Sequence, residues 1–155
     1  MLKKIVSGGQ SGVDRAALDA AIAAGIEHGG WCPRDRRAED GAIPERYRLA
    51  ETPQKGYRQR TAWNVRDSDG TLILVRKSIK GGTRYTLQCA AEAGRPSLVF
   101  NPDFTAGREE VERWLENYSI GVLNIAGPRA SSDPDVYLSA RNYLHALFSA
   151  VSRRK

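Results

Sequence analysis

The sequence predicts an α/β fold, a single domain over residues 1–155 in which a mostly parallel central sheet lies between two layers of helices. Three observations carry this expectation. Short β-type apolar runs alternate with longer stretches of helical period, which implies strand–helix–strand crossovers. One run, Thr71-Leu72-Ile73-Leu74-Val75, is apolar without interruption, as befits a central strand covered on both faces. Two glycine-rich turns each follow an expected strand and open an expected helix.

In chain order, the first strand is expected over residues 3–7, ended by Gly8-Gly9. A helix follows over 13–24, with Val13, Ala17, Ala21 and Ala24 on one face, Leu18 and Ile22 widening the stripe, and Gly25 as its stop. Its many alanines predict close packing on the sheet. Residues 26–56 are the irregular part: Gly29-Gly30-Trp31-Cys32-Pro33 holds a short strand ending at the proline, and a polar, arginine-rich stretch runs on through Asp40-Gly41, Ile43-Pro44 and Tyr47. A loop this long in a compact domain marks a lid or pocket wall. The second half is regular: a helix over 57–66, the turn Asp67-Ser68-Asp69-Gly70, the strand at 71–75, a loop over 76–82, and a helix over 83–93 stopped by Gly94. Then come a strand at 97–100, a helix over 109–118 with Val111, Trp114, Leu115 and Tyr118 aligned, and a strand at 122–126. The final helix, 135–151, sets Tyr137, Arg141, Leu144, Phe148 and Val151 along one side. No repeat or linker divides the chain, and the pattern is that of a Rossmann-like three-layer sandwich.

Composition bounds the function. With 155 residues, 41% hydrophobic and 27% charged, the chain reads as an ordinary globular protein with one real core. No apolar run reaches the ~18–20 residues of a membrane span, and Met1-Leu2-Lys3-Lys4-Ile5-Val6 reads as a first strand, not a signal peptide, so a cytoplasmic protein without a membrane partner is expected. Cys32 and Cys89 lie far apart in no metal-ligand spacing, and His28 and His145 have no partner at i+4; two buried thiols and no metal site are expected. The net charge of +6 calls for an anionic partner. Nucleic acid does not fit the pattern, because acids interleave with the bases (Arg34-Asp35-Arg36-Arg37-Ala38-Glu39-Asp40) and no aromatic-plus-basic ladder accompanies them. Arg153-Arg154-Lys155 reads as a solvated tail. Homo-oligomerisation is left open.

The chemistry concentrates in the two turns. In Ser7-Gly8-Gly9-Gln10-Ser11-Gly12-Val13-Asp14-Arg15, glycines admit positive φ and close approach of a ligand, and the helix start supplies free N–H groups and partial positive charge. The turn is neither GxGxxG nor a P-loop with its lysine. Ser11-x-x-Asp14 fits a capping box as well as it fits ligand contact, and Asp14 repels a bare anion unless Arg15 offsets it or a ligand hydroxyl donates to it. In Lys77-Ser78-Ile79-Lys80-Gly81-Gly82-Thr83-Arg84-Tyr85-Thr86, Thr83 can cap, the amides of residues 82–84 can face a ligand, and Arg76, Lys77, Lys80 and Arg84 add positive field. If the two strands are neighbours, both turns flank the crevice in which open α/β sheets bind ligands. Supporting candidates are Asn101, Asn124 and Gly127-Pro128-Arg129 at or near strand ends, Arg34, Arg58 and Arg60 as arginines able to close over an anion, Asn64, and Trp31 and Trp63 as stacking surfaces.

Several motifs occur in a fixed order: Gly8 to Asp19, Gly30-Trp31-Cys32-Pro33, Glu39-Asp40-Gly41, Tyr57-x-x-Arg60-Thr61-x-x-Asn64, Asp67-Ser68-Asp69-Gly70-Thr71 and Gly81-Gly82-Thr83-x-x-Thr86. Over residues 5–100 this order resembles the putative molybdenum carrier family, in the circularly permuted YpsA-like branch of the lysine-decarboxylase-like, SLOG-type Rossmann folds. The resemblance implies binding of nucleotides or nucleotide-derived ligands, with a phosphate site built from the Gly8–Gly12 and Gly81–Thr83 turns. The carrier name implies molybdenum cofactor or molybdate as cargo. Related LOG-like enzymes, which release the base from nucleoside 5′-monophosphates, carry PGGxGTxxE. Here that stretch reads Lys80-Gly81-Gly82-Thr83-Arg84-Tyr85-Thr86-Leu87-Gln88, without the proline and with glutamine in place of the glutamate. A neutral amide cannot serve as the carboxylate of that chemistry. Glu92, Asp14 and Asp40 are the carboxylates that could substitute.

The expected function is therefore binding or carriage of an anionic phosphorylated small molecule through Gly8, Gly9, Gln10, Ser11, Gly12, Asp14, Arg15, Gly81, Gly82, Thr83, Arg84 and Thr86, with Trp31, Arg34, Arg60, Asn64, Asn101 and Asn124 in support. A phosphoribohydrolase-like enzyme and a nucleotide-sensing regulatory domain are the alternatives.

Overall fold

The computed structural model describes residues 1–153; Arg154 and Lys155 of the expected tail lie outside the described residues. The elements run β1 (Lys4–Val6), α1 (Val13–Ala24), β2 (Glu27–Gly29), β3 (Trp31–Cys32), a 3₁₀ turn (Arg34–Arg36), β4 (Arg37–Ala38), β5 (Gly41–Ala42), β6 (Ala50–Glu51), α2 (Tyr57–Arg66), β7 (Gly70–Leu74), α3 (Gly81–Glu92), β8 (Ser97–Phe100), a second 3₁₀ turn (Thr105–Gly107), α4 (Arg108–Asn117), β9 (Val122–Ala126) and α5 (Val136–Arg153). The α/β three-layer expectation holds, and the main sheet has order β2-β1-β9-β7-β8 with every pairing parallel.

β9, last in the chain, sits between β1 and β7. Its Asn124 stands opposite both Val6 and Thr71. Leu123 and Ile125 on one face of β9 join the main core, to which α1, α4 and α5 contribute. On the opposite face α2 packs on α3 through Val65, Cys89 and Ala90.

Alternating apolar residues decide these contacts. Ala16, Ala17, Ala20 and Ala21 leave α1 thin enough for α5 to lie close against it. The buried stripe of α5 is Val136, Ala140, Tyr143, Leu144, Leu147 and Phe148. It is displaced from the expected line: Arg141 is exposed, and Tyr137 and Val151 are half-buried. The displaced stripe is apolar throughout, whereas the expected one required burial of an arginine. Tyr118, expected in line with Val111, Trp114 and Leu115, is the residue that ends α4 and is exposed. On α1, Ile22 and Ala24 face solvent.

The irregular segment differs most from expectation. β2 at its start is an edge strand of the main sheet, too short and polar (Glu27-His28-Gly29) to show a β pattern. Beyond it, β3 pairs with β6, β4 with β5, and Cys32, Ala38, Ile43 and Tyr47 pack with Leu18 of α1 into a small second core. Arg36 organises this unit from a left-handed backbone (φ 53°), its guanidinium donating to the carbonyls of Ile43 (3.0 Å), Pro44 (2.8 Å), Tyr47 (2.7 Å) and Leu49 (3.3 Å). The segment is a packed subdomain held by one arginine. Cys32 and Cys89 are buried free thiols.

At the end of β9, a Cβ on Gly127 would overlap the Leu74 carbonyl oxygen and stand 2.6 Å from Val13 Cγ2. Neither the carbonyl nor the helix can move without shifting the sheet. Gly127→Ala is expected to cost about 1–3 kcal/mol. Differential scanning calorimetry should show this as a fall in Tm of roughly 2–4 °C per kcal/mol in a domain of this size.

Candidate ligand-binding site

A cavity of about 560 Å³ opens beyond the carboxyl ends of β1, β9 and β7. Gly8, Gln10 and Asp14 reach it from the first glycine turn, Gly81, Gly82, Thr83 and Thr86 from the second, Arg60 and Asn64 from α2, and Asn124 to Arg129 from β9 and the loop after it. The two glycine turns therefore share one cavity. β1 and β7 do not pair as the sequence argument required, however: β9 lies between them and supplies the middle of the floor.

Charge is distributed unevenly across the site. The cations lining it are Arg58, Arg60, Lys77, Lys80 and Arg129; the carboxylates are Asp14 and Asp133. All the cations except Arg60 are exposed, at the rim. Asp133 is neutralised by Arg76, which donates to both of its oxygens at 2.9 and 2.7 Å and holds its carboxyl below the ordinary range. Asp14 is 7% exposed, and burial raises its pKa although Arg60 and the Gln10 N–H work against that rise. Arg60 approaches Asp14 only to 3.9 Å; it donates to the Gly8 carbonyl (2.8 Å) and to Thr61 Oγ1 (3.2 Å). Arg60 also lies over the Tyr57 ring at 5.1 Å.

The two turns differ electrostatically. At the start of α1 the N–H groups of Gln10, Ser11, Val13 and Arg15 are taken by the Asp14 carboxylate, Gln10 Oε1, Pro128 O and Gln10 O. At the start of α3 no acid occupies the first turn and no side chain caps it. The N–H groups of Gly81 and Gly82 meet no acceptor among the described residues, and a Cβ on Gly82 would meet nothing within 4 Å. The helix begins two residues earlier than expected, which puts Thr83 inside the first turn and not at the cap.

Several expected site residues lie elsewhere, each for a visible reason. Gly9, at φ 76°, packs against Leu49 and Ile43 of the inserted subdomain. Gly12, at φ 82°, abuts the Pro128 carbonyl. Ser11 neither caps α1 nor lines the cavity; its hydroxyl donates to Glu39 and accepts from the Ala130 N–H. Arg15 donates to the Gly9 carbonyl (3.0 Å) and makes a two-bond pair with Asp40 (2.6 and 3.0 Å). Arg84 is exposed, its nearest acceptor the Ile79 carbonyl at 3.4 Å. Trp31 donates through Nε1 to Asp67 and meets Trp63 edge-on, while Asn64 bonds both its backbone groups. Arg34 is exposed, and Asn101 accepts from the Asp103 N–H in a local turn. Gln88 donates to Glu92 on the outer face of α3, and neither lines the cavity, so Glu92 is not placed to act there. Conversely, Asp133 lines the cavity without having been singled out, and Tyr57 and Thr61, marked in the sequence only as part of a motif, line it too. Tyr57, Arg60, Thr61 and Asn64 fall at i, i+3, i+4 and i+7, one face of α2, a signal that was present in the sequence.

Fold and cavity define the class: a parallel α/β fold with a ligand-sized cavity, cationic at its rim, at the carboxyl edge of its sheet. Residues 5–148 match the family described as circularly permutated YpsA SLOG, and the chain belongs to that family. The match continues well beyond the residues whose motifs suggested it. A crystal structure of a "Putative molybdenum carrier protein" from Syntrophus aciditrophicus SB is similar at 44% identity with a TM-score of 0.91, over 95% of this chain and 94% of that one. No curated protein matches. No helix among the described residues is long and apolar enough to cross a membrane, and no group of His, Cys, Asp and Glu among them is arranged to hold a metal.

Arg15 is expected to act through the fold. Arg15→Ala should raise amide exchange at residues 38–41, while affinity for inorganic phosphate stays within about twofold. Because Arg15 holds the Asp40 carboxyl below its ordinary value, the pair's stability contribution is present above about pH 4 and is lost as pH falls through the depressed folded value. The melting-temperature gap between wild type and Arg15→Ala should therefore close on acidification and persist at neutral pH.

Proposed function

We propose that this protein binds and carries an anionic, phosphorylated small molecule, with the phosphate at the start of α3. The observation that carries the reading is the open N-terminus of that helix: the free N–H groups of Gly81 and Gly82, the helix dipole, and Lys77 and Lys80 at the rim all favour negative charge at one point. The first turn is the poorer anion site, because the Asp14 carboxylate already stands at its helix start.

A cavity of about 560 Å³ suits an organic ligand better than a bare tetrahedral oxyanion; ligand pockets commonly measure ~300–1,000 Å³. In the carrier reading that the name of the similar Syntrophus protein suggests, the cargo is the phosphorylated organic cofactor that holds molybdenum, and not molybdate. Nucleotides belong to the same chemical class and serve as its probes. A sensor of such nucleotides would use the same cavity.

Catalysis of base release is not expected. The bond requires a carboxylate beside the sugar; Glu92 lies outside the cavity, Asp133 is committed to Arg76, and Asp14, the remaining carboxylate of the lining, is held at the start of α1 as an acceptor for the Gln10 N–H. Incubation with AMP, GMP, CMP and UMP should leave the nucleotides intact by chromatography. Turnover in the ordinary enzymatic range of ~1–10³ s⁻¹ would overturn the carrier reading.

Gly82→Val tests the phosphate position. Its side chain enters open space, so the fold is retained, but it would stand where the anion meets the amides. Titration calorimetry with AMP should show affinity reduced about tenfold or more, the scale of a lost charge-assisted contact. Unchanged affinity would put the phosphate elsewhere. Gly9→Val is not an equivalent test, because it would collide with Leu49 and Ile43 and disturb folding.

A further inference from the structure

The cavity is cationic at its rim, yet its most buried charged side chain that faces inward without a full set of partners is an acid. The Asp14 carboxylate accepts from the Gln10 N–H at 3.2 Å, and the Gly8 N–H also acts on it. Arg60, the nearest cation, stays at 3.9 Å, beyond hydrogen-bond reach, and directs its bonds to Gly8 and Thr61. A carboxylate has about four acceptor sites, so Asp14 retains capacity toward the cavity it lines. Asn124 lines the same cavity, 3% exposed, with its amide donating to Thr71 Oγ1 at 3.2 Å.

A ligand that placed a second anion here would meet a buried carboxylate, and an apolar group would leave that carboxylate desolvated and short of donors. Both are costly. A hydrogen-bond donor removes the cost, because bonds to an ionised acceptor are the strong ones. We infer that Asp14 is a specificity-determining residue: it selects, among phosphorylated molecules, those whose uncharged part offers donors, either the vicinal hydroxyls of a sugar or the paired N–H and NH₂ of an amino-oxo ring edge. This rests on the phosphate reading above. The ligand lies with its phosphate on the α3 turn and its donor-bearing part against the α1 turn, so the two glycine turns read opposite ends of one molecule.

The first experiment uses the wild-type protein and needs no variant. Affinities for GMP, 2′-deoxy-GMP and IMP are compared by calorimetry, with inorganic phosphate as a reference. Loss of at least tenfold with 2′-deoxy-GMP identifies the sugar hydroxyl as the group that Asp14 reads, and the same loss with IMP, which lacks the 2-amino group, identifies the ring edge. Equal affinity for all three overturns the inference. The second experiment is Asp14→Asn, which keeps the shape and removes the charge. It should lower affinity for the preferred nucleotide about tenfold or more and narrow the gap to its donor-lacking analogue, while inorganic phosphate binding is retained or strengthened. A nucleotide affinity unchanged in a variant that melts like wild type also overturns the inference. Loss of inorganic phosphate binding in Gly82→Val, or its absence in wild type, reports instead on the phosphate reading.

Discussion

Everything at the site depends on one topological constraint: β9, the last strand made, is inserted between β1 and β7. Strands that neighbour one another in sequence order turn outward from this position, β1 to β2 on one side and β7 to β8 on the other. The sheet is therefore split at its centre, and the loops that leave the two inner strands diverge to opposite faces. β9 fills the split and brings Asn124 and the Gly127–Arg129 stretch to the floor. Gly127 is the closest point of this junction, pressed between the Leu74 carbonyl and Val13. The cavity is a consequence of the strand order and draws its lining from residues as far apart as Gly8 and Asp133.

Much of the fold was legible in the sequence. The bounds of α1, α2, β8 and β9 coincide with the periodic and apolar runs that announced them, and both glycine turns open onto the cavity. Strand adjacency was not legible, because nothing in a run such as Val122-Leu123-Asn124-Ile125-Ala126 states which partners it takes. The buried stripe of α5 was misplaced for a related reason: two lines of residues on that helix are mostly apolar, and only the location of α1 decides between them. In the inserted subdomain, single residues override local pattern. Arg36 collects four carbonyls that would otherwise need a strand or water, and no periodicity records that.

The site residues divide along the same lines. Sequence spacing identifies glycines but not which are needed by the ligand and which by the backbone: Gly9 and Gly12 serve the fold through positive φ and close packing, while Gly82 faces open space. The arginines show the same ambiguity. Arg15 stands beside the turn in sequence but turns away to Asp40, whereas Arg60, from a helix much further along, enters the cavity. Glu39 ties these choices together. It accepts from Ser11 and from Ser131 and lies 3.6 Å from Arg129, so the first turn, the inserted subdomain and the β9–α5 loop share one carboxylate.

The two glycine turns look like a duplicated anion site, and Asp14 separates them. A carboxylate at a helix start satisfies the same N–H groups and dipole that would otherwise recruit a phosphate. With one helix start occupied from within and the other left open, the cavity acquires a direction. Rim cations act at long range but are weakened by salt over a Debye length of about 8 Å at physiological ionic strength. In the proposed function they serve capture of an anion more than discrimination among anions. The buried floor is shielded from that screening, and its polar groups penalise any ligand that leaves them unpaired. On the proposed reading, affinity for charge and selectivity for the rest of the molecule thus reside in different layers of one cavity, the first exposed and basic, the second buried, with Asp14 as its free acceptor beside Arg60.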